Sequence, residues 1–269
     1  ELREKIEIID RPLGFVPTMG AVHEGHLELI RRANLENEKV VASLFVNPGQ
    51  FGHSEDFKSY PRDIHSDITQ LKASGIDIVF VPSVHEMYPA GFSTYVDVGP
   101  ISNRLEGEYR SGHFRGVATV VCKLLSIVRP DKAYFGQKDA QQNVVVMKLN
   151  ADLNLGSKIV VVPTVREPEG LAISSRNIYL NPRERQSASI LYESLCLAKR
   201  IWITGVIDAD DIRQQMIALI KSEAGVCIDY VSVCKVDTLE KMKVITPPAL
   251  VSVAIKIGTT RLIDNILLE

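Results

Sequence analysis

The chain has 269 residues, 45% of them apolar and 24% charged, with a formal net charge of -2. Single hydrophobic cores stop growing near this length, so two structural units are expected. Near-neutral charge without a block of one sign argues against a nucleic-acid partner, and no apolar run approaches the roughly 20 residues that cross a bilayer.

The first residues, "ELREKIEIID", are charged and lack the apolar centre of a signal peptide, so a cytoplasmic location is expected. Glu1 is not a methionine, as expected of a chain that continues on its N-terminal side. Four cysteines (Cys122, Cys196, Cys227, Cys234) lie in apolar surroundings without a C-x-x-C pair, which predicts reduced, mostly buried thiols.

In chain order, "GFVP" (14–17), "VVASLFV" (40–46), "IDIVFVP" (76–82), "AYF" (133–135) and "KIVVVP" (158–163) read as buried strands. Between them "GHLELIRRANLE", "DIHSDITQLKASG", "GVATVVCKLLSIV" and "DAQQNVVVMKLNADL" carry apolar residues at helical spacing. This βαβ rhythm predicts an α/β fold, a Rossmann-like doubly wound parallel sheet with helices on both faces. After "VREPEGLAISSRNIYLNP" the rhythm changes. Helices over about 182–203 and 209–224, then strands in "CIDYVSVCKV" and "ALVSVAIKIG", predict a smaller C-terminal α+β domain. The expected division is 1–166 and 167–269, with the smaller part acting as a lid.

The stretch "GFVPTMGAVHEGHLELIRRA" puts His23 and His26 where a strand hands over to a helix. A helical zinc pair needs spacing four with a catalytic Glu between, whereas these stand at spacing three at a helix start, which favours anions. Phosphate is the better partner. Gly20 and Gly25 are expected to let the backbone approach it, with both imidazoles donating to its oxygens. A helix N-terminus with two surface histidines is the plainer reading. The chain has no G-x-S-x-G elbow and no Walker pattern, so neither a serine nucleophile nor a P-loop is expected.

H-x-G-H after "PTMG" resembles the signature of the nucleotidyltransferase and class I aminoacyl-tRNA synthetase superfamily. The strings "FVPTMGAVHEGH", "FVNPGQF", "YPRD", "GHFRGVATVV", "AYFGQKDAQQ", "PTVREPEGLAISSRN" and "GTTRLIDN" together resemble the pantothenate synthetase (pantoate-β-alanine ligase) family over almost the whole chain. The resemblance implies an ATP-dependent ligase. Pantoate and ATP would form a pantoyl adenylate with loss of pyrophosphate, and β-alanine would then displace AMP. It implies magnesium, ATP as substrate, and a homodimer. "VVASLFV" could serve as an interface strand or as core.

On the same resemblance, residues Met19, Gly20, His23, Gly25 and His26 would line the nucleotide, with His26 the first choice for catalysis and His23 beside it. Gln50 and Gln142 would hold pantoate, Gln50 also admitting β-alanine; Gln141 is expected to point elsewhere. Gly136 would let the backbone close on the nucleotide, Lys138 would meet phosphate, and Asp139, on the helix face of Gln142, would cap the helix or accept from a ribose hydroxyl. Val165 and Ile173 would touch adenine or ribose through their backbone. Ser174, Ser175 and Arg176 would contact the triphosphate. Asp67 would help to hold magnesium, and Arg110 would be a further cation nearby.

Each residue also has a plainer reading. Gln50 fits an exposed loop amide, Lys138 and Asp139 a solvated pair, and "SSR" a turn that caps the next segment. Asp67 fits a helix first turn and Arg110 a surface salt bridge. Gly49, Gln137, Ala140 and Ile173 depart from the family's commoner spelling, and Ala140 predicts looser packing beside Gln142. His53, His65 and His85 read as loop or surface residues, and His113 as a support for its loop. Adenylyl transfer to a phosphate ester would call for cations where Gln50 and Gln142 stand. A tRNA synthetase would need a basic RNA-binding region, and a non-catalytic nucleotide module would need no second-substrate residues.

Overall fold

The computed structural model describes residues 1–52 and 55–269, so the expectation for His53 lies outside the described residues. The chain forms two compact units, one of Glu1–Gln137 with Gln141–Pro163 and the other of Lys138–Ala140 with Thr164–Glu269.

The first unit holds helices α1 (Leu2–Glu7), α2 (Glu24–Glu36), α3 (Ile64–Ala73), α4 (Val84–Met87), α5 (Glu106–Tyr109), α6 (His113–Val128) and α7 (Ala140–Asp152). Its strands are β1 (Leu13–Thr18), β2 (Lys39–Leu44), β3 (Ile78–Phe80), β4 (Lys132–Gly136) and β5 (Lys158–Val162). They form one parallel sheet in the order β3-β2-β1-β4-β5. β1 is flanked by β2 and β4, so the strand order reverses beside it, and the crevice beyond the carboxyl ends there is where such sheets take ligands. The core joins Val16 and Val40 of the sheet to Leu29, Ile30 and Ala33 of α2 and Leu71 of α3. "VVASLFV" is core: β2 lies inside the sheet and buries Val40, Val41 and Ala42 completely or nearly so.

The second unit contains α8 (Pro182–Ser187), α9 (Ile190–Ile203) and α10 (Ala209–Lys221), followed by β6 (Val226–Lys235), β7 (Ala249–Ile257) and β8 (Thr260–Leu268). The strands make an antiparallel sheet in the order β6-β7-β8. Leu191 and Leu195 of α9 and Ile212 and Met216 of α10 pack against Val251, Val253 and Ile255 of β7.

Several sequence expectations change. The single helix expected over 182–203 is two, α8 and α9, broken at Ala188 and Ser189, where Ser187 Oγ donates to Glu223 Oε1 at 2.6 Å. β8, which begins inside "GTTRLIDN", is a strand that the sequence pattern does not predict. The thiols are less buried than expected: only Cys234 is fully inside, Cys122 and Cys196 are half-buried, and Cys227 is exposed on β6.

The foot of the sheet carries a charged knot. Glu36, the last residue of α2, accepts from Lys132 Nζ and from Tyr134 Oη, both at 3.1 Å and both on β4, and pairs with Arg32. The Lys132 bond, aided by Arg32 and Tyr134, holds the Glu36 carboxyl down from an ordinary 4.5 to about 2. A depressed carboxyl pKa gives stability that is present above the unfolded value and is lost as pH falls from about 4.5 towards 2. Glu36→Gln is therefore expected to cost about 1–2 kcal/mol at pH 7, less than the full shift implies because the group is part-solvated. Urea melts at pH 7, 4 and 3 check it: the difference from the parent protein should shrink as the pH falls.

Candidate active site

The turn from β1 into α2 is held by side chains from three directions. Gly20 has φ +89° and Ala21 φ +51°, a left-handed pair that turns the N–H groups of Ala21 and Val22 the same way. Asp67 of α3, 3% exposed, fills that concavity: Oδ2 accepts from Ala21 N at 3.0 Å and Oδ1 from Val22 N at 2.8 Å. A Cβ on Gly20 would come within 2.7 Å of Asp67 Oδ2 and 2.8 Å of Leu44 Cδ1. Asp67 and Leu44 thus leave no room for a side chain at Gly20.

His23 is the N-cap of α2, and its Nδ1 accepts from Gly25 N at 3.1 Å. That bond fixes the tautomer: Nδ1 has no proton, so a neutral His23 can donate only through Nε2. A Cβ on Gly25 would lie 2.9 Å from His23 Cε1, so Gly25 makes room for the imidazole. One helix N–H expected for phosphate is thus spent on the cap. The His26 ring stacks on His23, centroids 4.1 Å apart and planes 28° from parallel. Both rings are half-buried.

The segment after β2 is also built from within. Asn47, 1% exposed, donates from Nδ2 to Gln50 Oε1 at 2.9 Å and to Gly116 O at 3.2 Å, and its Oδ1 accepts from Tyr88 Oη at 2.6 Å. Burial pushes the Tyr88 hydroxyl up to about 12, so it stays a donor. Gln50 Nε2 donates to Met19 Sδ at 3.2 Å. Gln50 is therefore a buried amide held between Asn47 and Met19, not an exposed loop residue.

From the other side, His113 Nδ1 meets Gln50 O at 2.7 Å and Nε2 meets Arg110 Nη1 at 3.0 Å. A carbonyl only accepts and a guanidinium only donates, so the ring is neutral with its proton on Nδ1. Burial first, then the Arg110 charge, lowers the His113 pKa to about 4, in agreement with that tautomer. Arg110 grips Glu55 with two bonds of 2.8 and 2.7 Å. It is committed to an ion pair, and His113 supports the loop as expected. His65 and His85 are exposed.

Beyond β4, Gly136 has no atom within 4 Å of an added Cβ, leaving its surroundings open. Gln141 is buried and its amide serves the backbone of Ile101, Arg104 and Glu106, so it points away as expected; Gln142 is half-buried next to it. Asp139 belongs to a 3-10 turn, Gln137–Asp139, that runs directly into α7, three residues before Gln142.

In the second unit Lys138 Nζ lies 3.4 Å from Asp139 Oδ1. Ile173 N donates to Val165 O at 3.0 Å, so the backbone groups left for a ligand at these two positions are Val165 N–H and Ile173 C=O. Ser174 caps the 3-10 turn Ser175–Tyr179 by accepting from Arg176 N at 3.3 Å, and Ser175 and Arg176 open that turn. Sequence reasoning missed Asn47 and Tyr88. The only local signal was the Asn47-Pro48 turn start, which predicts a bend but not its partners.

No group of three or more His, Cys, Asp or Glu suited to a metal occurs among the described residues. The expectation that Asp67 holds magnesium meets a carboxylate whose two oxygens already carry backbone bonds. Nor is any helix among the described residues long and apolar enough to cross a membrane.

The parallel order 3-2-1-4-5, with an H-x-G-H helix start after the strand at the reversal, defines a doubly wound α/β protein with its ligand crevice beside β1, the setting in which the nucleotidyltransferase resemblance was expected. Residues 1–267 match the family model described as pantoate-beta-alanine ligase. A pantothenate synthetase of Roseiflexus sp. (strain RS-1) is 53% identical over all of this chain and 97% of that protein. One from Thermotoga petrophila is 50% identical over 100% and 94%. A crystal structure of pantothenate synthetase from Thermus thermophilus superposes with TM-score 0.94 at 43% identity, covering 98% of this chain and 96% of that one. The pantoate-beta-alanine ligase of Francisella tularensis, solved in complex with "Beta-gamma ATP and Beta-alanine", gives 0.81 at 34% identity over 99% and 94%. The chain belongs to the pantoate-beta-alanine ligase family.

Proposed function

We propose that the chain condenses pantoate with β-alanine at the expense of ATP, through a pantoyl adenylate. The observation that carries this reading is the stacked His23–His26 pair at the amino end of α2; Gln50, read as a second-substrate amide, is bonded to Met19 of the same β1–α2 turn and to Asn47. A pantoate carboxylate oxygen attacks the α-phosphorus, and the bond to the bridging oxygen breaks with pyrophosphate leaving. The β-alanine amine then attacks the acyl carbon, the acyl–oxygen bond breaks, AMP leaves, and the nitrogen gives up its extra proton to water.

In this reading His23, through Nε2, and His26 donate to phosphate oxygens as charge builds on them. Met19, Gly20 and Gly25 shape that wall. Gln50 and Gln142 orient pantoate as neutral amides, which hold a carboxylate without neutralising its attack. From the second unit Lys138 and Arg176 supply positive charge, and Ser174 and Ser175 supply hydroxyls, for the phosphates. Val165 N–H and Ile173 C=O serve the adenosine, and Asp139 a ribose hydroxyl. Gly136 leaves backbone room.

Magnesium belongs to this proposal as part of the MgATP substrate, because Mg2+ commonly rides on substrate phosphates. Asp67→Asn should then lower stability by about 1–3 kcal/mol, because an amide N–H would face a backbone N–H. It should leave the magnesium concentration for half-maximal rate unchanged; a tenfold rise would make Asp67 a ligand. The proposal also includes a cytoplasmic homodimer, which sedimentation would test for assembly state. The function itself is tested by AMP formation that requires both pantoate and β-alanine, with pyrophosphate released from ATP and pantoate alone. AMP formation without pantoate would overturn it.

A further inference from the structure

The motif "GTTRLIDN" is part of the family resemblance, yet no step above uses it. In the structure it ends on two consecutive buried residues of β8, Asp264 at 2% and Asn265 at 4% exposure. Successive strand residues point to opposite faces, so the two can serve different segments.

Asp264 binds Arg166 through both oxygens: Nη1 to Oδ2 at 2.5 Å and Nη2 to Oδ1 at 3.0 Å. Arg166 Nη1 also donates to Gly170 O at 3.1 Å, and its guanidinium sits 4.0 Å from the Tyr192 ring centroid. Arg166 begins the segment that runs through Ile173 to Ser174, Ser175 and Arg176, paired to itself by the Arg166–Ala172 bridge. Asp264 thus fixes the base of that loop. Asn265 Nδ2 donates to Lys138 O at 2.9 Å, and Asn265 N donates to Asp264 Oδ1 at 2.8 Å, so one carboxylate orients both anchors. Lys138–Ala140 group with the second unit, although the residues on either side belong to the first.

We propose that Asp264 and Asn265 are positioning residues that tie Lys138 and the 166–176 loop to one strand of the second unit, so that the cations meant for phosphate are placed as a set. The inference rests on the reading of Lys138 as a phosphate contact. A lysine is a point charge on a flexible four-carbon stem, and fixing its peptide is what limits where that charge can go. The bond from Asn265 falls on the backbone of Lys138, so any side chain at position 138 would be held, but only a lysine gains from it.

The test uses Asn265→Ala and the near-isosteric Asn265→Leu in the full chain, each checked for folding by thermal melts. The expected result is about a tenfold slower release of pyrophosphate from ATP and pantoate, since misplacement by a fraction of an ångström costs on that order. The attack of β-alanine on preformed pantoyl adenylate should be unchanged. In a Lys138→Ala background Asn265→Ala should slow pyrophosphate release no further, because the two act through one group. Equal slowing of both half-reactions, or effects of the two substitutions that multiply, would overturn the inference. So would an Asn265→Leu protein that folds and forms adenylate at the parent rate while Lys138→Ala is impaired. A Lys138→Ala protein that forms adenylate at the parent rate would instead bring down the phosphate reading of Lys138, and this inference with it.

Discussion

His26→Ala should lower the rate of pantoyl adenylate formation by about two to three orders of magnitude, the usual loss when one transition-state donor is removed from a preorganised site. The helix should survive. His26 lies inside α2, one residue past the Gly25 N–H that His23 caps, and alanine is the better helix former. The substitution removes the stacking partner of His23 at 4.1 Å, yet the cap bond from Gly25 stays. Loss should appear in single-turnover pyrophosphate release with ATP affinity changed little, because a donor that acts on developing charge contributes more to the transition state than to the ground state. His23→Ala makes the contrast. It removes the N-cap as well as a donor, so it should add a stability loss of about 1 kcal/mol that His26→Ala lacks. A His26→Ala enzyme with near-parental turnover would remove His26 from the chemistry.

The five strands of the parallel sheet were legible because they read as short apolar runs closed by glycine, proline or charge, although only β1, β2 and β4 are largely buried and the edge strands β3 and β5 are mostly half-buried. β8 was harder: its buried positions include Asp264, Asn265 and Thr260, polar side chains that pattern alone assigns to the surface. The break between α8 and α9 has no glycine or proline to announce it. At the site the residue types pointed to phosphate chemistry, but not to who holds whom. Asp67 sits 46 residues from Ala21, Asn47 69 from Gly116, and Arg110 55 from Glu55, separations that no local period encodes. The glycines hide partners for the same reason. A Cβ at Gly20 would meet Asp67 and one at Gly25 would meet His23, contacts that the spelling alone does not announce.

Gly116 carries this logic furthest, because there the obstacle is backbone. A Cβ built on it would lie 1.9 Å from Gly49 O, 2.3 Å from Gly49 C and 2.7 Å from Gln50 N. α6 and the Pro48–Gln50 turn therefore touch main chain to main chain, and Asn47 Nδ2 bonds Gly116 O across the contact. Gly116→Ala must push the turn and α6 apart by about an ångström or more, since neither is the end of a flexible side chain. Overpacking of this kind costs about 1–3 kcal/mol, and a displacement of Gln50 by about 1 Å is worth on the order of 100-fold in kcat/KM. The loss should fall on pantoate and β-alanine, with the KM for ATP nearly unchanged, since the Gly20–Val22 turn is held by Asp67 and the start of α2 by its His23 cap. Steady-state kinetics with each substrate varied, alongside a thermal melt, separates the two effects. A variant with lowered melting temperature and parental KM for pantoate would mean that the turn is placed by Met19 and Tyr88 alone. A variant with both intact would mean that α6 gives way, and that the glycine is not what seats Gln50.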